Sequence, residues 1–305
     1  MNKKRQIASF VIKTIKTSIL TFFIFASTGI IYTLAKAVGE NYVVDQMIES
    51  FIARADENAD LTFESGGYQW RYYPIQRTYD YELSDARDVF YDEDKREIGQ
   101  FGDILLNRQN AFRDIPIIYQ FISFYFGGHA AFRDDGAGLY ETTGLNVDWE
   151  AFIGAIKSPG YNSDITQAAI QHINFNYWLD MGTGTQFAPF YRSEMMSVRV
   201  KDVTDEQLNL AKQYLDYQVD NRSLYNFLFW LDMKEKHYCT DLVSRAYQYA
   251  FYDSEDQRQY SRALNDDGFI TSVNDLILAE ATYFTTYTRV NQTDLTVSIY
   301  YLEDL

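Results

Sequence analysis

Disulfides are excluded by count, because Cys239 is the only cysteine in 305 residues. A lone thiol cannot build a thiolate metal site either. Histidine is almost as scarce: His129, His172 and His237 show no HxxxH spacing, so neither a structural metal nor a cofactor is expected. With only 4 Pro and 16 Gly, long linkers and low-complexity segments are not expected, and no internal repeat is present. The stretch Gly182-Thr183-Gly184-Thr185 lacks the lysine and following helix of a phosphate loop and reads as a turn, as does Pro159-Gly160. Basic residues number 27 against 43 acidic ones, and six of them (Lys3, Lys4, Arg5, Lys13, Lys16, Lys36) precede residue 40, where no acid occurs. Setting those six aside turns the net charge of −16 into about −22 for the remainder. Such a surface repels polyanions, which excludes nucleic acid as an expected partner and disfavours an anionic membrane face beyond any anchor.

What the amino terminus does contain is a run of 19 uncharged residues, Thr17 to Ala35, after a basic and acid-free start. A span of the hydrocarbon layer needs ~20 residues and a signal-peptide core about 7–15, so the run favours an uncleaved anchor, with Ala35-Lys36-Ala37 leaving cleavage open. The preceding positive charge predicts the amino terminus inside and the rest of the chain outside, membrane-held through residues 17–35 or secreted after cleavage. Residues 1–39 are therefore set apart as the basic stretch and anchor or signal. Residues 40–99 read as a stalk and packing extension, with a helical pattern over Tyr42 to Ala55 and a break at Gly66-Gly67. A core domain is expected over 100–290, and a tail over 291–305. Aromatic content is high, with 26 Tyr and 22 Phe. Tyrosine packs while keeping a hydroxyl for water, so an aromatic-filled core with amphipathic rims is the simplest account, and some rings could line a substrate groove.

Cys239 sits in His237-Tyr238-Cys239-Thr240-Asp241-Leu242-Val243, followed by Ala246, Tyr247, Ala250 and Phe251 at helical spacing. The pattern puts the thiol at a helix start, on the inward face. Helix-start amides and a nearby imidazole are the usual means of activating a cysteine nucleophile, although a single buried cysteine also serves as plain packing. A second segment supplies the imidazole. Asp134-Asp135-Gly136-Ala137-Gly138 reads as a hairpin loop between two short strands, and this places Glu141 within about one position of direct pairing with His129. A carboxylate there would orient the imidazole that takes the thiol proton. His237, two residues from Cys239 around a helix start, is the weaker candidate for that base.

Taken in order, Gly102-Asp103-Ile104-Leu105-Leu106, Gly127-Gly128-His129-Ala130-Ala131-Phe132, Leu139-Tyr140-Glu141 and the late Tyr238-Cys239 helix start resemble the permuted papain-like hydrolases of the NlpC/P60 superfamily, the YiiX/YebB-like group. The resemblance extends to Met196–Lys201, a helix from Asp205, Tyr225-Asn226-Phe227 and Phe269–Leu276, and so covers roughly residues 100–285. Its departures are Thr240-Asp241, where the family usually has Ser-Glu, and Val273, where it often has Pro. The resemblance implies an α+β, circularly permuted papain-like fold with an antiparallel sheet packed on the Cys-bearing helix. It implies a cysteine hydrolase of amidase or peptidase type, with Cys239 as nucleophile, His129 as base and Glu141 as orienter. The Cys239 amide and one of Tyr225, Asn226 or Tyr238 would stabilise the oxyanion. Peptide or acyl-bearing substrates are implied, with peptidoglycan peptides a plausible target for an exported member. An acyltransferase or thioesterase on lipid or acyl substrates, and a catalytically inactive membrane-tethered binding protein, stand as alternatives.

Overall fold

The computed structural model describes residues 3–109, 115–125, 127–142, 170–179, 193–226, 229, 235–252, 263–265 and 270–305, with the side chains of 3–9 and 117 outside that description. The two turns expected at Pro159-Gly160 and Gly182-Thr185 lie outside the described residues. The first element, α1 (Lys3–Ile52), is one continuous helix of 50 residues. By length and composition it is able to cross a membrane. Its two halves differ in surroundings. From Phe10 to Lys36 no residue is buried, whereas Ala37, Asn41, Val44, Ile48 and Phe51 form a buried stripe at alternating spacings of four and three. That spacing keeps one helix face against the core.

The core is built on a nine-stranded sheet. Its strands are β1 (Leu61–Ser65), β2 (Tyr68–Ile75), β3 (Ile104–Asn107), β4 (His129–Arg133), β5 (Leu139–Thr142), β6 (Ile170–Ile173), β7 (Glu194–Val200), β10 (Thr282–Asn291) and β11 (Thr296–Leu302), in the order β1-β2-β11-β10-β7-β3-β4-β5-β6. All neighbours are antiparallel except β2 and β11, which run parallel. The short strands β8 (Leu224–Tyr225) and β9 (Lys236–His237) pair separately, in parallel. The helices are α2 (Asp80–Leu83), α3 (Pro116–Tyr125), α4 (Asp205–Asp220), α5 (Cys239–Phe251) and α6 (Val273–Leu278). Helix α4 begins at a capping box in which Thr204 and Gln207 satisfy each other's backbone amides. Helix α5 packs on β4 and β5 and against α4. The fold is thus α+β, with a large sheet and the cysteine-bearing helix lying on it.

Two boundaries differ from the expectation. Residues 40–99 pack on the core, as the expected extension, but do not stand off as a stalk: Val44, Ile48 and Phe51 share the core with Trp70, Tyr72 and Ile75, and β1 and β2 extend the sheet. Residues 291–305 are not a tail, because β11 lies between β2 and β10 and buries Val297, Ile299, Tyr301 and Leu302. Val297, Ile299 and Tyr301 alternate with Thr296, Ser298 and Tyr300, the period of a strand with one face in the core.

The Gly-Asp of the first motif is structural. Asp103 is fully buried and takes a two-pronged ion pair from Arg199 on β7, Nε to Oδ1 at 2.6 Å and Nη2 to Oδ2 at 2.9 Å. Gly102 has φ +86°, and a Cβ there would meet Leu208 Cδ2 at 2.3 Å.

Candidate active site

The β4–β5 hairpin places two of the three expected groups. Ala131 pairs with Glu141, Phe132 with Tyr140 and Arg133 with Leu139. Glu141 is therefore two positions from direct pairing with His129, one step further than the loop reading gave. An offset of two keeps both side chains on the same sheet face, at a diagonal that long side chains bridge. The contact is made: His129 Nε2 lies 2.8 Å from Glu141 Oε2. Helix α5 brings the third group, as Cys239 is its first residue and its side chain hydrogen-bonds with His129. Cys239 is 8% exposed and His129 7%. Burial by itself would lower the His129 pKa, but the hydrogen bonds and charges of Cys239 and Glu141 outweigh it and hold the pKa up at about 10. The imidazole therefore stays a cation at neutral pH while both partners are in place.

The neighbours of Cys239 fix its backbone. The Tyr238 hydroxyl accepts the Thr271 N–H at 2.9 Å, and the Thr240 hydroxyl donates to the Thr271 carbonyl at 2.6 Å. Thr271 is thus gripped from both sides of the cysteine. The Tyr238 hydroxyl, expected from the sequence as oxyanion support, acts as acceptor in this grip, which leaves its own O–H as a donor. Tyr225 is also close to the thiol: burial raises its pKa well above the ordinary value, and the nearby Cys239 and Tyr238 raise it further. Its hydroxyl accordingly keeps its proton near the thiol. Asn226 is buried, and its backbone N–H donates to the His237 carbonyl at 3.0 Å, which ties the β8 end to β9. The Cys239 amide belongs to the first turn of α5, where backbone donors are not used up by the helix.

Two residues at the site come from a stretch in which the sequence carried no periodic signal. The Tyr177 hydroxyl donates to Glu141 Oε2, and the Trp178 ring lies parallel to His129, with centres 6.0 Å apart and planes within 6°. Asn176 sets both in position, its side chain accepting the Trp178 N–H at 3.0 Å and donating to the Ile98 carbonyl at 2.8 Å. An Asn before two aromatics is a turn signal followed by bulky packing residues, and it marks a loop laid on the core, though not its target.

His237 belongs to a different network. Its Nδ1 lies 3.2 Å from Asp241 Oδ2, and Asp241 also receives Arg245 Nε at 2.8 Å. Burial would raise the Asp241 pKa, but Arg245 and His237 hold it below the usual carboxylate range. His172, on β6, pairs with Asp134 in the β4–β5 loop at 2.7 Å. Among the described residues no group of three or more His, Cys, Asp or Glu is arranged to hold a metal ion.

A thiol, an imidazole bridging it to a carboxylate, and a helix start behind the sulfur are together able to form and break an acyl-sulfur bond. Comparison with protein-family models, with curated proteins and with solved structures returns no match to this chain.

Proposed function

We propose that this chain is a cysteine hydrolase of the amidase or peptidase type, built in the permuted papain-like manner of the NlpC/P60 superfamily and held on the outer side of a membrane by α1. The observation that carries the reading is the bridging position of His129, bonded to Glu141 through Nε2 and to Cys239 at the start of α5. The Cys239 sulfur attacks the substrate carbonyl carbon, and the oxyanion takes hydrogen bonds from the Cys239 amide and from a tyrosine hydroxyl beside it, Tyr225 or Tyr238. The His129 imidazolium gives its proton to the leaving amine. The neutral imidazole then takes a proton from water, which attacks the thioester and frees the acid, while Glu141 holds the ring throughout. Peptides of the cell wall are the substrate class that an exported hydrolase of this kind reaches. The tethering rests on the 19 uncharged residues of Thr17–Ala35 and the basic start before them.

The near-complete burial of Cys239 and His129 favours a second reading, an acyltransferase that uses the same residues and passes the acyl group to an amine or alcohol. The first test is alkylation of Cys239 by iodoacetamide across pH in the full chain, beside His129→Ala and Glu141→Gln. Fast alkylation at pH 7 that drops about tenfold or more without His129 supports the catalytic pair, and a rate indifferent to His129 leaves a binding protein as the better account. A screen of peptides and thioesters, with and without added amine, then separates hydrolase from transferase.

A further inference from the structure

Helix α3 lies beside α1 and runs against it. At its end, the Tyr125 hydroxyl is 3.4 Å from Thr33 Oγ1, within the uncharged run of α1. Near its start, burial raises the Tyr119 pKa, and the charges of Arg108, Glu194 and Asp45 act on it as well. The last turn of α3 is thus level with Thr33, and its first turn lies further out along α1, on the side of Asp45. No charged residue occurs from Ile115 to Tyr125. Ile115, Ile118 and Phe121 share one side at spacings of three and are 48%, 41% and 37% exposed. An outward face of this composition is costly in water and suited to lipid.

Its surroundings say which apolar medium covers it. The exposed, apolar part of α1 runs up to Lys36, and the buried stripe starts at Ala37, so no linker separates the outer domain from the expected span. Tyr32 on α1 and Phe121, Phe124 and Tyr125 on α3 gather at one height, and aromatic residues collect at membrane–water boundaries. We propose that the outward face of α3 rests in the interfacial layer of the bilayer that α1 crosses, so that the lipid surface is its partner; this inference rests on reading α1 as a membrane span.

The placement fixes the height of the site. Strand β4 starts at His129, four residues after Tyr125. Asn107, which pairs with His129, is followed by Arg108, whose Nη2 donates to Asn41 Oδ1 at 3.2 Å. Asn41 is six residues past Ala35, roughly 9 Å along a helix axis, and the headgroup layer adds about 5–8 Å to each side of the hydrocarbon. The Cys239–His129 pair is therefore held at the rim of the headgroups rather than on a flexible tether above them.

The test uses the full chain in phosphatidylcholine nanodiscs, in a Cys239→Ser background, with a nitroxide attached at Phe121→Cys, at Ile118→Cys, at Phe25→Cys on α1, or at Tyr217→Cys on α4. Power saturation compares collisions with oxygen, which concentrates in lipid, and with a water-soluble nickel chelate. The expected result is oxygen-favoured relaxation at Phe25 and Phe121, an intermediate ratio at Ile118, and nickel-favoured relaxation at Tyr217. Nickel-favoured relaxation at Phe121 with Phe25 still in lipid would overturn the α3 proposal and leave the anchor standing. Nickel-favoured relaxation at Phe25 removes the anchor reading and this proposal with it. Shielding of Phe121 from both agents, with dipolar broadening that vanishes on dilution with unlabelled protein, assigns the face to a second copy and overturns the lipid proposal.

Discussion

Tyr177 and His129 converge on a single oxygen, Oε2 of Glu141, the phenol donating to it and the imidazole Nε2 bonding to it at 2.8 Å. Such sharing holds the carboxylate in one rotamer and makes Tyr177 a positioning residue for the base. A hydrogen bond to a charged group contributes about 1.5–3 kcal/mol, and each 1.4 kcal/mol is a factor of ten. Tyr177→Phe is expected to slow Cys239 alkylation at neutral pH by about tenfold, less than His129→Ala does, and to leave the pH profile closer to that of the parent than Glu141→Gln leaves it. An unchanged rate would make Tyr177 a packing residue only.

The raised pKa of His129 has a consequence for stability. The imidazole bonds more strongly as a cation in the folded chain, at about 10, than the ~6.5 of an unfolded chain. For a group with a raised folded pKa, the stabilisation is fully present below the unfolded value and is lost as pH rises through the folded one. Thermal melts of the parent and of His129→Gln in detergent are therefore expected to differ most below pH 6.5, with the gap closing between pH 6.5 and about 10. A gap that widens with pH in that window would mean that the imidazole is buried neutral.

Local signals in the chain were enough for part of this site. The helical spacing after Cys239 placed the thiol at a helix start, and the Asp135-Gly136 loop placed Glu141 near His129 across the hairpin, because both rest on periodicity within ten residues or so. The observed register centres the hairpin on Gly136, within the expected loop, and this sets Glu141 two positions from direct pairing rather than one. Tyr177 and Trp178 were beyond reach, since their contacts join residues 36 and 49 positions apart in sequence, and no local pattern encodes such a contact. The tail expected at 291–305 is a different case: Val297, Ile299 and Tyr301 alternate as a strand does and β11 pairs with the adjacent β10, so the strand signal is local, and only the second partner, β2, lies more than 200 residues earlier.

Gly128 ties the position of His129 to a backbone that only glycine readily adopts. Its φ is +90°, and a Cβ there would meet the Asn107 carbonyl oxygen at 2.1 Å and Val273 Cγ2 at 2.9 Å. Backbone oxygen cannot step aside as a flexible side chain does, so Gly128→Ala must move β4 away from β3 or distort the turn. The strain is worth roughly 1–3 kcal/mol, and a chain of this size loses about 2–4 °C of Tm per kcal/mol. A melt lowered by several degrees, together with slower alkylation of Cys239, is the expected outcome. Unchanged melting would show that the turn relaxes at no cost.

Asp103 and Arg199 give the last prediction, because both are buried and their pairing is two-pronged. Arg199 also donates to the Arg87 and Asp88 carbonyls, at 3.1 and 2.8 Å, so the pair fastens β3 and β7 to the 85–88 loop. Arg199 also pairs with Asp85 at 3.4 Å. Removing Asp103 therefore leaves the guanidinium short of one of its two carboxylates in a buried place, at a cost toward the low end of the ~3–5 kcal/mol of a broken buried pair, whereas replacing both partners with apolar groups of similar volume costs less. Asp103→Asn is expected to lower the melting temperature more than the double change Asp103→Leu with Arg199→Met. The fraction still folded should alkylate Cys239 at the parental rate, since neither residue touches the thiol or His129. A double variant less stable than the single one would show that the guanidinium bonds to the 85–88 loop outweigh the cost of burying the charges, and the role of the ion pair would then be to hold that loop rather than to neutralise a buried acid.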